Sequence, residues 1–182
     1  MKVIIPVAGI GSKLRPHTHT QPKALVPVAG KPILSHIVDN LIEAGVREFI
    51  FIIGYLGNKV EDYIRAHYPG IETRFVLQEP REGTGHAVWL ARNLIEEKDE
   101  VIIALGDTIF DVQLREVLHQ SDSMLGVKKV DDPRNFGVAE LDSDGIIRNL
   151  IEKPPIPKSN LALVGIYKIR EGRKLMLALE EI

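Results

Sequence analysis

The chain has 182 residues, 45% hydrophobic and 26% charged, enough for one good core and too few for two, so a single globular domain is expected. Its 23 Lys and Arg against 25 Asp and Glu create no field that would favour nucleic acid or an anionic membrane over small ligands, so any basic patch is local. The absence of cysteine excludes disulfides and thiolate metal sites, the early apolar run is broken by Pro6 and Gly9, and the cytoplasm is the default compartment.

In chain order, β-branched runs at 3–7, 48–53, 73–77 and 101–105 alternate with helical patterns. That alternation predicts βαβ units, hence an α/β fold with a largely parallel sheet and helices on both faces. The first helix is expected after Lys31, with Pro32 in its first turn, Ile33, Ile37, Leu41 and Ile42 buried, and a stop near Gly45. The second covers about 58–67, with Val60, Tyr63 and Ile64 inward, and ends before Pro69. The third opens at Gly83-Thr84-Gly85 and carries Ala87, Val88, Leu90, Ala91, Leu94 and Ile95. After Asp107 a short helix near 114–119 leads to strands near 124–130, 137–141, 146–151 and 161–169, then to a helical tail from about Arg173. Turn signals at Asp131-Asp132-Pro133 and Asp142-Ser143-Asp144-Gly145 separate them. These later strands suit either an antiparallel lobe or a mixed extension of the sheet.

The strongest chemical signal is Val7-Ala8-Gly9-Ile10-Gly11-Ser12-Lys13-Leu14-Arg15-Pro16, followed by Thr18 and Pro22-Lys23. An apolar strand runs into a glycine loop whose backbone N–H groups can approach an anion, and Lys13, Arg15 and Lys23 follow to neutralise it. A dinucleotide-binding loop wants a third glycine where Leu14 stands and an acid after the second strand, where Ile53-Gly54 stands. A Walker loop, GxxxxGK[ST], is absent. A plain strand-to-helix turn explains the glycines but not the cations. Histidine offers little: His17 and His19 have no further ligand at metal spacing, His86 suits capping or packing, and Trp89 reads as core.

These motifs together resemble the signature of the sugar-1-phosphate nucleotidyltransferases, or nucleotide-sugar pyrophosphorylases: the loop itself, then Pro22-Lys23-x-Leu25-x-Pro27-Val28 and Lys31-Pro32-Ile33-Leu34. Gln78 and Gly83-Thr84-Gly85-His86-Ala87 resemble the segment that reads the base in the uridylyl- and thymidylyltransferases of that family. Leu105-Gly106-Asp107-Thr108-Ile109-Phe110 is similar to the strand end where its metal-binding aspartate sits. Asn135-Phe136-Gly137-Val138, Glu152-Lys153-Pro154 and Leu161-Ala162-Leu163-Val164-Gly165-Ile166-Tyr167 match its sugar-phosphate side in order.

The resemblance implies a Rossmann-like three-layer sandwich with a mostly parallel mixed sheet, of the nucleotide-diphospho-sugar transferase type, plus a small β-rich sugar-side portion. The nucleotide half would run to about residue 110 and the sugar-phosphate half onward from about 111. It implies in-line attack of a sugar 1-phosphate, glucose-1-phosphate by analogy, on the α-phosphorus of dTTP or UTP, with release of pyrophosphate. Lys13, Lys23 and Asp107 would be catalytic, with Mg2+ as the cofactor on Asp107. Ala8, Gly9, Gly11, Ser12, Lys13, Gln78, Gly83 and Thr84 would bind the nucleotide, and Gly137, Glu152, Lys153 and Leu163 the sugar phosphate. Independent of family, Asp107 follows an apolar strand, where ligand sites of open α/β sheets lie, and a lone carboxylate suits Mg2+, which prefers phosphate and water oxygens.

Two departures stand out. Lys13 occupies the place of the family's usual loop arginine and keeps the charge without the bidentate fork, which Arg15 is the other candidate to supply. The family's second metal-binding aspartate lies in a later segment, so the chain is expected to be the front portion of a longer transferase. A non-catalytic nucleotide-sugar binding or regulatory module with the same loops is the competing reading. No nucleic-acid or membrane partner is expected, and a homo-oligomer is compatible with the sequence.

Overall fold

The computed structural model describes residues 1–181, and Ile182, the last residue of the expected helical tail, lies outside them. The first apolar run forms β1 (Lys2–Pro6). Loop residues then lead to a minimal hairpin, β2 (Pro27–Val28) and β3 (Lys31–Pro32), and to α1 (Ile33–Glu43). Next come β4 (Glu48–Ile53), α2 (Gly57–His67), β5 (Glu72–Leu77), α3 (Thr84–Trp89), β6 (Val101–Ala104) and α4 (Leu114–Leu118). The chain continues through β7 (Met124–Lys129), β8 (Gly137–Leu141), β9 (Ile147–Glu152), β10 (Leu161–Ile169) and α5 (Gly172–Glu180).

Residues Met1–Met124 together with the chain from Tyr167 onward form one unit. Its sheet runs β5-β4-β1-β6, and each neighbour pair is parallel, with Ile4 opposite both Ile50 and Ile103. Parallel strands covered on both faces must be apolar at every position, and Val3, Ile4 and Ile5 are accordingly fully buried. One face packs Ile4, Ile50, Ile52 and Ile103 against Ala87, Val88, Ala91 and Met176 of the α3 and α5 segments. Alternation sends Val3, Ile5, Phe49 and Phe51 to the other face, where Phe51 stacks on Phe75 with ring centroids 5.4 Å apart. Each such side chain removed from water is worth about 1.5–3 kcal/mol, so the sheet centre is the rigid platform of the unit.

The helices follow the expected periodicity with three differences. Pro32 sits at the N-cap of α1 rather than inside it, and Ile42 and Tyr63 are half-buried. The third helix is shorter than its apolar pattern: α3 stops at Trp89 and a separate 3-10 turn covers Arg92–Leu94. Ala91 N–H already donates to Val88 O and Leu94 N–H to Ala91 O, so the tighter winding keeps Ala91 and Ile95 in the core without an α-helix.

Residues Leu125–Ile166 form the second unit. Here β8 pairs antiparallel with both β9 and β10, in the same sheet as the parallel strands, so the later strands extend that sheet in mixed sense. The β8–β9 turn is built on Asp142, whose Oδ1 accepts from the N–H groups of Asp144 and Ile146, with Gly145 at φ +79°. Both units together give a mixed, mostly parallel α/β architecture. Among the described residues no helix is long and apolar enough to cross a membrane.

Candidate functional site

The loop after β1 leaves the sheet at Val7, whose N–H donates to Ile52 O at 2.8 Å. Gly11 adopts φ +67°, and a Cβ there would stand 2.9 Å from Thr18 Cγ2 and 3.0 Å from Lys23 Cβ. Only glycine lets the loop fold back on itself this closely. Thr18, 1% exposed, closes the fold-back by donating from Oγ1 to Gly11 O at 2.8 Å. No long helix follows; 3-10 turns at Ser12–Leu14, His17–His19 and Lys23–Leu25 carry the chain round. Tyr55 Oη donates to His19 O at 3.0 Å and Lys59 Nζ to Thr20 O at 2.6 Å, so the His17 to His19 turn is a clamped loop.

Beyond β6, the turn Leu105-Gly106-Asp107 lies against the exit of β1. Gly106 N–H donates to Pro6 O at 3.3 Å, and a Cβ on Gly106 would lie 2.8 Å from that oxygen and collide with Val7 Cγ1. This close approach brings the Asp107 carboxylate to Lys23 Nζ, which donates to its Oδ2. The pair is 34% and 43% exposed, so both groups remain accessible.

Beyond β5, Gln78 is 5% exposed and its N–H donates to Ile53 O at 2.8 Å. Its side-chain Nε2 donates to Gly83 O at 2.9 Å. Gly83, at φ +102°, turns the chain into α3 at Thr84.

These loops enclose a cavity of about 670 Å³ at the carboxyl ends of β1, β5 and β6. Ala8, Gly9, Gly11, Ser12 and Lys13 line it from the first loop, Lys23 from the third 3-10 turn, Gln78, Gly83 and Thr84 from the approach to α3, and Asp107 from the turn after β6. Every residue expected on the nucleotide side thus faces one space in the first unit. Lys13 lines it and Arg15 is not among its lining residues. Arg81 also lines the cavity and was not anticipated: between Glu79-Pro80 and Glu82 it reads as a solvated turn cation, and only the fold reveals its neighbours.

In the second unit, Gly137 is in register with Glu152, and a Cβ on Gly137 would meet Leu163 Cδ1 at 2.9 Å and Glu152 Oε2 at 3.1 Å. Lys153 takes a left-handed φ of +43°, donates its N–H to Phe136 O at 3.0 Å and holds Nζ 3.2 Å from Glu152 Oε1. The four residues expected to meet a sugar phosphate therefore form one cluster on β8, β9 and β10.

Mg2+ needs hard oxygen ligands and often takes one or two carboxylates, the rest being phosphate and water. Asp107 supplies one such accessible carboxylate at the cavity wall. Among the described residues no group of three or more His, Cys, Asp or Glu could hold a metal by itself. The donor set fits a cation shared with substrate phosphates and does not fit an all-protein metal cage.

A nucleotidyl transferase family model matches residues 2–178 of this chain. Over 174 residues the chain is 42% identical to the bifunctional protein GlmU of Methanococcus maripaludis, covering 94% of this chain and 41% of that protein. It is 32% identical over 174 residues to the UTP–glucose-1-phosphate uridylyltransferase AglF of Haloferax volcanii, covering 92% of this chain and 71% of that one. Among solved structures, a protein of Bacillus anthracis assigned as a glucose-1-phosphate thymidylyltransferase, in complex with sucrose, superimposes with a TM-score of 0.88 at 29% identity, covering 100% of this chain and 75% of that one. The chain spans about two fifths of the length of the first of these relatives. With the glycine loop, the Gln78 to Thr84 segment and the acid after β6 all meeting in one cavity, the match over nearly the whole chain assigns it to the nucleotidyl transferase family, among the sugar-1-phosphate nucleotidyltransferases.

Proposed function

We propose that this chain carries the nucleotide site of an enzyme that transfers a uridylyl or thymidylyl group from UTP or dTTP to a sugar 1-phosphate, glucose-1-phosphate in the first instance. The products are pyrophosphate and a nucleotide-sugar. The observation that carries the reading is the single cavity lined by the glycine loop, Lys13, Lys23, Gln78, Gly83 and Asp107. The uridylyltransferase activity assigned to AglF and the thymidylyltransferase activity assigned to the Bacillus anthracis protein support the sugar and the pyrimidine.

The chemistry needs no covalent enzyme intermediate. Its obstacle is repulsion between two anions, about 4 kcal/mol for each unit-charge pair at about 4 Å and an effective dielectric near 20. Lys13 offsets charge on the triphosphate, and Lys23, held beside Asp107, faces the phosphate under attack. Asp107 would hold Mg2+, which when bound neutralises phosphate oxygens and orients the leaving pyrophosphate. The backbone of Gly9 to Ser12 supplies N–H groups to the phosphates, and the buried Gln78 meets the base. By resemblance, Lys153 and Glu152 take the sugar phosphate and a sugar hydroxyl.

The test is pyrophosphate release with UTP, dTTP, CTP, GTP and ATP, each offered with glucose-1-phosphate and Mg2+. Turnover confined to the pyrimidine imides UTP and dTTP is the expected result. Preference for a purine triphosphate would refute the base assignment, and nucleotide-sugar binding without any release would identify a sensor.

A further inference from the structure

We propose that His86 is a positioning residue: it fixes which way the Gln78 amide faces and, through it, the preference for an imide base, uracil or thymine, over cytosine. The proposal rests on reading the cavity as a nucleoside triphosphate site.

A carboxamide has two N–H donors on one side and one acceptor oxygen on the other. In Gln78 both donors are committed. One hydrogen bonds Gly83 O at 2.9 Å, and Nε2 lies 3.5 Å from His86 Nδ1, near enough to give the second. Only Oε1 is left for a ligand. Among the described residues the single buried side-chain polar atom without a partner is Trp89 Nε1, so Oε1 is not sealed inside the protein. On this reading Gln78, which lines the cavity, offers a ligand an acceptor and not the donor-plus-acceptor edge that its residue type alone suggests.

Uracil and thymine carry N3–H, a donor that matches Oε1. Cytosine carries a bare N3 lone pair, which an acceptor repels and which only a flipped amide would satisfy. Flipping would turn Oε1 towards Gly83 O and His86 Nδ1, two acceptors.

This role requires the Nδ1 lone pair, hence a neutral ring with its proton on Nε2. Glu82 competes for the same atom, with Oε2 at 3.6 Å from Nδ1. The Glu82 side chain is 64% exposed and water satisfies it, whereas Gln78 is only 5% exposed. The buried donor decides the tautomer. The Trp89 ring lies beside that of His86, with centroids 6.0 Å apart and planes tilted by 34°.

The experiment measures kcat/KM for UTP and for CTP in the wild type, His86→Ala, His86→Asn and Glu82→Gln. A ratio of the two is independent of the folded fraction, so partial unfolding of a variant does not affect it. His86→Ala is expected to lower the UTP-to-CTP preference about fivefold, the scale of one net hydrogen bond, mainly through a raised KM for UTP. His86→Asn places an amide oxygen near the lost Nδ1 and restores the preference, while Glu82→Gln leaves it unchanged. An unaltered ratio in His86→Ala, or a ratio in Glu82→Gln that falls as far as that of His86→Ala, overturns the proposal while leaving the triphosphate site intact. A wild type that uses neither UTP nor dTTP overturns both readings together.

Discussion

Gly9 and Gly11 stand two residues apart in one loop, yet the structure predicts different penalties for giving each a methyl group. Gly11 lies at φ +67°, where a non-glycine residue costs about 1–2 kcal/mol. Its new Cβ would also press on Thr18 Cγ2 at 2.9 Å and Lys23 Cβ at 3.0 Å, adding about 1 kcal/mol of overpacking. Gly11→Ala should therefore lose about 2–3 kcal/mol, a fall in Tm of roughly 5–10 °C for a chain of this size. Thr18 anchors the loop, and Lys23 carries the ammonium beside Asp107, so turnover should fall with stability. Gly9 has nothing within 4 Å of an added Cβ and no left-handed φ. Gly9→Ala should melt within about 0.5 kcal/mol of the wild type, but its methyl enters the cavity and should raise KM for the triphosphate. Thermal melts of both variants beside pyrophosphate-release kinetics make the comparison. Equal melting of Gly11→Ala and wild type would refute the claim that the fold-back demands glycine. Equal destabilisation by both substitutions would refute the division of labour.

Lys23→Ala should lower kcat for pyrophosphate release by about 10²-fold or more, the scale of losing one preorganised donor, with far less effect on the melting temperature. Raised ionic strength should raise KM for the triphosphate, because Lys23 and Asp107 are exposed, while leaving the UTP-to-CTP ratio flat because Gln78 is buried. Lys168, 3% exposed, donates from Nζ to Leu118 O at 3.0 Å and to Gln120 O, so Lys168→Met should cost about 2–4 kcal/mol in urea denaturation by stranding both carbonyls. Burial pushes the Asp99 carboxyl up, but hydrogen bonds from Lys2 Nζ and the Glu96 N–H outweigh it and hold the group below the usual value. A depressed folded pKa contributes stability that is present above the unfolded value and lost as pH falls through the folded one. Asp99→Asn should thus flatten the acid limb of a Tm profile below about pH 4, and an unchanged limb would exclude this pair as a source of acid lability.

The parallel sheet was legible because β1, β4 and β6 are covered on both faces, and such strands show as unbroken apolar runs. The end of α3 was not, since Ala87, Ala91 and Ile95 reach the core equally well through an α-helix or through a helix that tightens into a 3-10 turn. The β2–β3 hairpin, two residues a side, is too short to leave a periodic trace. Pairing of β8 with both β9 and β10 is a non-local choice, and turn residues name only the β8–β9 contact. Within the cavity, the glycine loop and Asp107 were readable because each follows an apolar strand. Arg81 was hidden by its acidic neighbours in sequence. The polarity of the Gln78 amide was unreadable in principle, because the two atoms beside its Nε2, Gly83 O and His86 Nδ1, are brought there only by the fold.

The partners of each cation explain why composition alone could not locate the site. Lys168 is buried on two carbonyls and lies 3.7 Å from Glu100, and Lys2 is shared between Leu94 O and Asp99. Both amines are engaged by protein oxygens, and both hold the fold. Among the described residues Lys13 and Arg81 have no carboxylate within ion-pairing distance, yet both line the cavity, and Lys23 has a single partner there. A cation left with unused donors at a concave wall gains little in the folded state, since an exposed charge is already well solvated. It becomes favourable only when a polyanion displaces that water and brings several charges at once. The chain thus keeps near-neutral overall charge while concentrating unsatisfied positive groups where a triphosphate would lie, and the same residue type serves stability in one place and ligand attraction in another according to how many partners the fold supplies.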